Sequence, residues 1–201
     1  PKIAVLGRVG VHSAFVNRGA LSEEVLVPET PFGRSNPIHI LRHKGIPFAA
    51  VSRFGEERYS TNAPSLPVRS YLWALKDVGV ERIISWSAPG AINEAFEPGD
   101  IAIPDDVMDE TTSRPRSFFL GTGLGFIRQN PVFCPELRER LVRNELLARY
   151  RLHTHGVYVC TEGPRLETPA EIRKYRLLGA DLVGETLCPE VFLARELELC
   201  Y

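Results

Sequence analysis

Thr161-Glu162-Gly163-Pro164-Arg165-Leu166-Glu167-Thr168-Pro169-Ala170-Glu171 is the stretch on which the fold turns. Its last four residues have the form of a capping box. Thr168 is the N-cap, Pro169 takes the first helical position, where its missing N–H costs nothing, and Glu171 reaches back to the cap. The spacing predicts a helix that runs to Leu178 and stops at Gly179. Upstream, His155 to Thr161 alternates like a strand. Downstream, Leu182 to Gly184 is a short apolar strand and Pro189 to Glu198 a last helix. Strand, helix and strand in succession are the unit of a layered α/β domain.

The same alternation extends toward the N-terminus. Lys2 to Leu6 is an apolar run closed by Gly7-Arg8-Val9-Gly10, a buried strand feeding a glycine loop. Val25 to Val27, Ile38 to Leu41 and Phe48 to Ser52 are further strands separated by Pro and Gly, and Arg82 to Ser87 is another, followed by Pro89-Gly90. Pro67 to Val78 reads as a helix, because Val68, Tyr71, Leu72, Leu75 and Val78 recur at three- and four-residue spacing before Gly79. Pro98-Gly99-Asp100 is a turn into Ile101-Ala102-Ile103. Gly121 to Gly125 is expected as a mobile glycine loop, and Pro135 to Tyr150 as a charged amphipathic helix. Together these predict one α/β domain over residues 1–201, with a central mixed β-sheet flanked by helices.

Composition narrows the function classes. With 44% hydrophobic and 24% charged residues, the chain has the make-up of an ordinary soluble globular protein. A net charge of −1 without a basic run removes the electrostatic footprint of a nucleic-acid binder. No apolar run approaches the ~18 residues of a membrane span, and the start runs straight into a strand, so no signal peptide is visible. Cys134, Cys160, Cys188 and Cys200 form no Cys-x-x-Cys pair, which argues against a zinc or redox motif and for thiols in a reducing cytoplasm.

Several segments carry candidate chemistry. Gly7-Arg8-Val9-Gly10 follows a strand, where backbone N–H groups can converge on an anion, or it is a plain tight turn. Arg53, at the end of a strand, can present its planar fork to phosphate oxygens or form a salt bridge. Ser87-Ala88-Pro89-Gly90 is either a site loop or a strand-terminating turn. Ser113-Arg114-Pro115-Arg116-Ser117-Phe118-Phe119 reads as a structural segment. Glu162 can act in a site or pair with Arg165 or Arg173. In Gly184-Glu185-Thr186-Leu187-Cys188-Pro189-Glu190, Glu185 either faces a pocket or is solvated.

These motifs, spread over essentially all 201 residues, resemble those of the trimeric purine nucleoside phosphorylases, most closely the methylthioadenosine phosphorylases. The resemblance implies a phosphorylase-type layered fold. It also implies phosphate-dependent cleavage of an N-glycosidic bond, giving free purine and (methylthio)ribose 1-phosphate, as part of purine salvage. Phosphate would be held by Gly7, Val9, Arg53, Ser87 and Thr186, and the nucleoside by Ala88, Leu166 and Glu185. Inorganic phosphate is the co-substrate, and no metal or organic cofactor is implied. A homotrimer or dimer of trimers is expected, without nucleic-acid or membrane partners. The family's catalytic Asp would lie beyond Tyr201, so the closing strand and helix, and the choice between 6-amino and 6-oxo purines, fall outside the sequence. Val9 stands where the family has Thr, Phe54 and Arg58 where it has His, Leu166 for Phe and Glu185 for Met. Those departures keep two alternatives open: a non-catalytic paralogue binding a nucleoside-like ligand, and a nucleoside hydrolase.

Overall fold

The elements follow the punctuation of the sequence. In chain order they are β1 (Ile3–Gly7), α1 (Val11–Val16), β2 (Leu21–Leu26), β3 (Glu29–Thr30), β4 (Gly33–Arg34), β5 (Ile38–His43) and β6 (Ile46–Ser52). Next come α2 (Val68–Asp77), β7 (Arg82–Ser85), β8 (Gly90–Ala91), β9 (Ile101–Ala102), β10 (Asp106–Asp109) and α3 (Pro135–Val142). The last are β11 (Leu152–His153), β12 (Val157–Cys160), α4 (Pro169–Leu177), β13 (Leu182–Gly184) and α5 (Glu190–Glu196). This computed structural model describes residues 1–123 and 125–201. Leu124, inside the loop expected over Gly121 to Gly125, lies outside the described residues.

The expected mixed α/β architecture is present, with its strands shared between two principal sheets. One has the order β2-β5-β6-β1-β7, the other β10-β12-β13-β8. In the first, β1 pairs in parallel with β6 and β7, whereas β2, β5 and β6 form an antiparallel meander. In the second, β12 runs parallel to β10 and β13, and β8 is antiparallel. One apolar core serves both sheets, joining Leu6, Val51 and Ile83 of the first to Tyr158 and Leu182 of the second. The buried face of α2 (Val68, Tyr71, Leu72, Leu75) packs into this core and against α5. At ~25 cal/mol per Å2 of apolar surface, each such Leu contributes about 1.5–3 kcal/mol.

Three features depart from the sequence reading. The helix expected over Pro135 to Tyr150 stops at Val142, because Asn144 turns its Oδ1 onto the Leu146 N–H at 2.9 Å and competes with the helical bond. That helix also buries no residue, so packing does not extend it. Cys134 and Cys200 are joined in a disulfide with Cα atoms 5.3 Å apart, in place of the free thiols expected; only Cys160 and Cys188 are free, and both are buried. Finally, α1 and β10 have no strong sequence signal: α1 lacks a side-chain cap and buries nothing, and β10 carries two Asp residues.

Candidate functional site

Parallel pairing brings the working loops to common edges. The register sets Gly7 beside Ser52 and Leu6 beside Ser85, so the segments after β1, β6 and β7 leave from one end of the first sheet. In the second sheet Cys160 lies beside Gly184, so the Thr161 and Glu185 segments also leave together. A cavity of about 580 Å3 opens between these ends. The carboxyl ends of parallel strands are where open α/β sheets bind ligands.

Five of the predicted residues line this cavity: Ser87, Ala88, Leu166, Glu185 and Thr186. Thr186 is the most telling. It is buried, and its Oγ1, closed off from the cavity, has no hydrogen-bond partner of ordinary geometry among the described residues; the Tyr158 hydroxyl lies beside it, next to Ser87. A buried hydroxyl without a partner costs about 1–3 kcal/mol, so turning Oγ1 toward an acceptor or donor in the cavity would be favoured. Tyr158 is itself buried, and burial first, then the neighbouring Cys160, pushes its phenol up, so it stays a neutral donor. Its hydroxyl occupies the place a Cβ on Gly184 would take, which requires glycine at 184.

Glu185 faces the cavity, not bulk solvent. Its carboxyl packs over the backbone of Gly163, where a Cβ would come within 2.5 Å, and Gly163 holds φ +69°. Burial, then the adjacent Glu167, raises the Glu185 carboxyl above the ordinary carboxylate range, against a smaller pull from Arg114. Arg114 fixes both walls of the cavity: it donates to the carbonyls of Glu185 (2.5 Å) and Cys188 (2.7 Å) on one side and of Thr161 (3.0 Å) on the other. This is the structural role its segment predicts. Glu162 pairs with neither Arg165 nor Arg173; it accepts from Thr112 N–H (2.6 Å) and Ser113 Oγ (2.5 Å) and holds that segment in place. Arg165 is instead bidentate to Glu171. Leu166 sits at the rim, 83% exposed.

Gly7, Val9 and Arg53 do not reach the cavity wall. Gly7 is needed for packing, since a Cβ would come within 2.5 Å of the Val11 side chain, and Val9 turns onto the core. Arg53 is fully buried and gives its fork to Glu190, with Nε–Oε2 at 2.6 Å and Nη2–Oε1 at 2.5 Å. Its remaining contacts are Ser85 Oγ at 2.7 Å and the Trp86 carbonyl at 3.4 Å. Tyr71 and Tyr201 also donate to Glu190, each at 2.5 Å. Burial opposes the Arg53 charge, but Glu190 more than restores it, so the guanidinium is held charged and paired. Breaking such a buried pair costs about 3–5 kcal/mol. Arg53 therefore locks to α5 the end of β6 and the end of β7, where the Ser87 segment starts.

The sequence reading passed over Arg8. Among the described residues it is the one arginine on the cavity wall, its guanidinium bonded to the Tyr59 hydroxyl and 5.7 Å from that ring's centre. Its position inside the glycine loop was the available signal. The wall thus combines one guanidinium, the hydroxyls of Ser87, Tyr158 and Thr186, two carboxylates (Glu167 and Glu185) and the apolar surfaces of Phe54 and Val183. This set can hold a small anion beside a polyhydroxylated, partly apolar molecule. Among the described residues no helix is long and apolar enough to cross a membrane.

Comparison with known proteins gives the arrangement a context. The family model described as the phosphorylase superfamily matches residues 2–201. The chain is 40% identical over its full length to an S-methyl-5'-thioadenosine phosphorylase of Pyrococcus horikoshii, and 41% identical to a 6-oxopurine nucleoside phosphorylase of Pyrococcus furiosus. It spans 76% of each of those proteins. Among solved structures, a methylthioadenosine phosphorylase from an antarctic soil metagenomic library superposes with a TM-score of 0.92 at 33% identity, over all of this chain and 70% of that one.

Proposed function

Because this chain belongs to the phosphorylase superfamily, we infer that its cavity carries out phosphorolysis of a purine nucleoside of the methylthioadenosine type. In this reaction the C1'–N9 bond breaks and its electron pair leaves with the purine. An oxygen of inorganic phosphate forms the new bond to C1', and a proton reaches the departing base. The products are free purine and a pentose 1-phosphate. The sugar gains oxocarbenium character on the way, so the site has to hold phosphate on one face and the base on the other.

The observation that carries this reading is the gathering of Arg8, Ser87, Thr186 and Glu185 on the wall of one cavity. Thr186 and Ser87 would donate to phosphate oxygens, and Arg8 would supply the positive charge that Arg53, neutralised by Glu190, does not offer. Gly7 and Val9 would act by shaping the loop that carries Arg8. Glu185 would bind the ribose hydroxyls, with Ala88 admitting the sugar and Leu166 covering the base. Phosphate is the only co-substrate in this reading.

The reading also includes assembly as a homotrimer or dimer of trimers, which light scattering would read as three or six chains per particle. It includes a place in purine salvage, in the cytoplasm. The Cys134–Cys200 disulfide runs against a reducing compartment, and a free-thiol count on protein taken directly from cells tests that point. For the reaction itself, methylthioadenosine, adenosine and inosine are each incubated with phosphate, and the sugar product is identified by phosphorus NMR. Pentose 1-phosphate from at least one of them is the expected result. Free pentose alone would identify a hydrolase, and intact nucleoside throughout would identify a non-catalytic binder.

A further inference from the structure

Outside the cavity, the fold gathers three metal-ligating side chains that are far apart in sequence. His12 lies in the first turn of α1, His39 on β5, and Glu56 in the segment after β6. His12 Nδ1, His39 Nε2 and a Glu56 carboxylate oxygen all lie within 4.8 Å of one another. None of the three lines the cavity.

We propose that His12, His39 and Glu56 form a binding site for a divalent first-row transition ion of the zinc class. Two imidazoles and a carboxylate are a donor set that suits this ion, with a water completing the coordination. His12 Nδ1 is 3.2 Å from Glu56 Oε2, and two ligand atoms on a tetrahedral ion with bonds near 2.0–2.1 Å are about 3.3 Å apart. His39 Nε2 is hydrogen-bonded to the same oxygen. The opposite nitrogen of His12 lies 3.0 Å from Ser13 Oγ, the kind of outer contact that orients a ligating imidazole.

Two further observations point to a cation. Glu56 Oε1 is a buried oxygen with no hydrogen-bond partner among the described residues. Among the described residues the ionic partners of Glu56 are the two histidines, with no Lys or Arg. An ion at Oε2 would supply the missing charge, and bidentate ligation would take up Oε1 as well. The side chain of Glu56 is 32% exposed, which leaves a path for the ion and its water. The two rings stack 3.8 Å apart at an interplanar angle of 2°. Ligation draws them out of parallel, because each nitrogen lone pair lies in its own ring plane.

The site would tie α1 to the first sheet. Val11 N–H already donates to Ser52 Oγ at 3.1 Å, and Gly10 N–H to the Gly55 carbonyl at 3.3 Å. An ion bridging His12, His39 and Glu56 would fasten the glycine loop from behind.

The test is calorimetric titration of the whole, chelator-treated protein with Zn2+ and Ni2+, without any activity readout. The expected result is one ion per chain with micromolar or tighter affinity. Glu56→Gln and His12→Gln, both at partly exposed positions, should each weaken binding at least tenfold, and His155→Gln, at a histidine outside the cluster, should leave it unchanged. Zn2+ at a hundredfold excess over its Kd should raise the Tm by about 5–10 °C, and Glu56→Gln should lose that rise. Absence of binding, or affinity unchanged in both Glu56→Gln and His12→Gln, would overturn the proposal.

Discussion

At the scale of single residues, the site is a question of which polar atoms are left over. Among the described residues Thr186 Oγ1 makes no hydrogen bond of ordinary geometry, although it lies beside the Tyr158 hydroxyl, so Thr186→Val costs the fold little. If the hydroxyl serves phosphate, the variant keeps its Tm within about 1 °C while kcat/KM for phosphate falls about tenfold, the worth of one hydrogen bond of ~1–1.5 kcal/mol. Steady-state kinetics and a thermal melt separate the two effects. Glu185 gives a prediction in pH. Its carboxyl is raised in the folded protein by burial and by Glu167, so between the ordinary glutamate pKa and that raised value the folded state holds the proton that the unfolded chain has lost. Stability therefore falls as pH rises through this window. Glu185→Gln should melt above the parent at pH 7 and match it below about pH 4, where both forms carry the proton.

The sequence showed these residues unevenly, for a physical reason. Ser87, Ala88, Glu185 and Thr186 follow the ends of strands whose boundaries the Pro and Gly spacing marks, Leu166 lies in the loop between β12 and α4, and all five reach the cavity. Arg53 also ends a strand, but its partner Glu190 is 137 residues away in sequence. Local reading has no access to a contact of that separation. The same applies to His12, His39 and Glu56, which no motif spacing connects.

At the scale of elements, local chemistry was the better guide. The capping box of α4 forms as written: Glu171 N–H donates to Thr168 Oγ1 and the Glu171 carboxylate accepts from Thr168 N–H. Arg165 and then the Thr168 backbone hold the Glu171 carboxyl down to about 2. Thr168→Ala should cost about 1 kcal/mol in urea unfolding, and a cost near zero would show that the helix is fixed by its packing alone. By contrast, α3 was over-extended in the reading. Charged periodicity continued past Val142, yet the helix covers no core, and nothing in composition reveals that the Asn144 side chain turns the chain. Strands β1, β5, β6 and β7 are legible because each puts apolar residues into the core (Leu6, Ile38, Val51 and Ile83), whereas β10 gains its place from pairing with β12.

For the whole molecule, the disulfide is the long-range tie that composition misassigned. It joins Cys134, the residue before α3, to Cys200, which bridges to Arg82 at the edge of the first sheet. The sequence separation is 66 residues, for which loop-closure entropy gives about 4 kcal/mol. Cys134→Ser, or reduction of the parent, should lower the unfolding free energy by an amount of that order. Equal stability with and without reductant would show that the bond adds nothing to the packing. The layered α/β architecture itself was readable from alternating apolar runs. The division into two sheets around one core was not, because strand pairing is set by contacts distant in sequence.

Phosphate is the attacking group in the proposed reaction, and the most direct measurement is the initial rate of purine release from methylthioadenosine as phosphate is raised from zero to saturation. A saturable rise from a negligible rate without phosphate, with one pentose 1-phosphate formed per purine, is the predicted result. A rate that is the same with and without phosphate, or no release by a folded protein of verified mass, would contradict it.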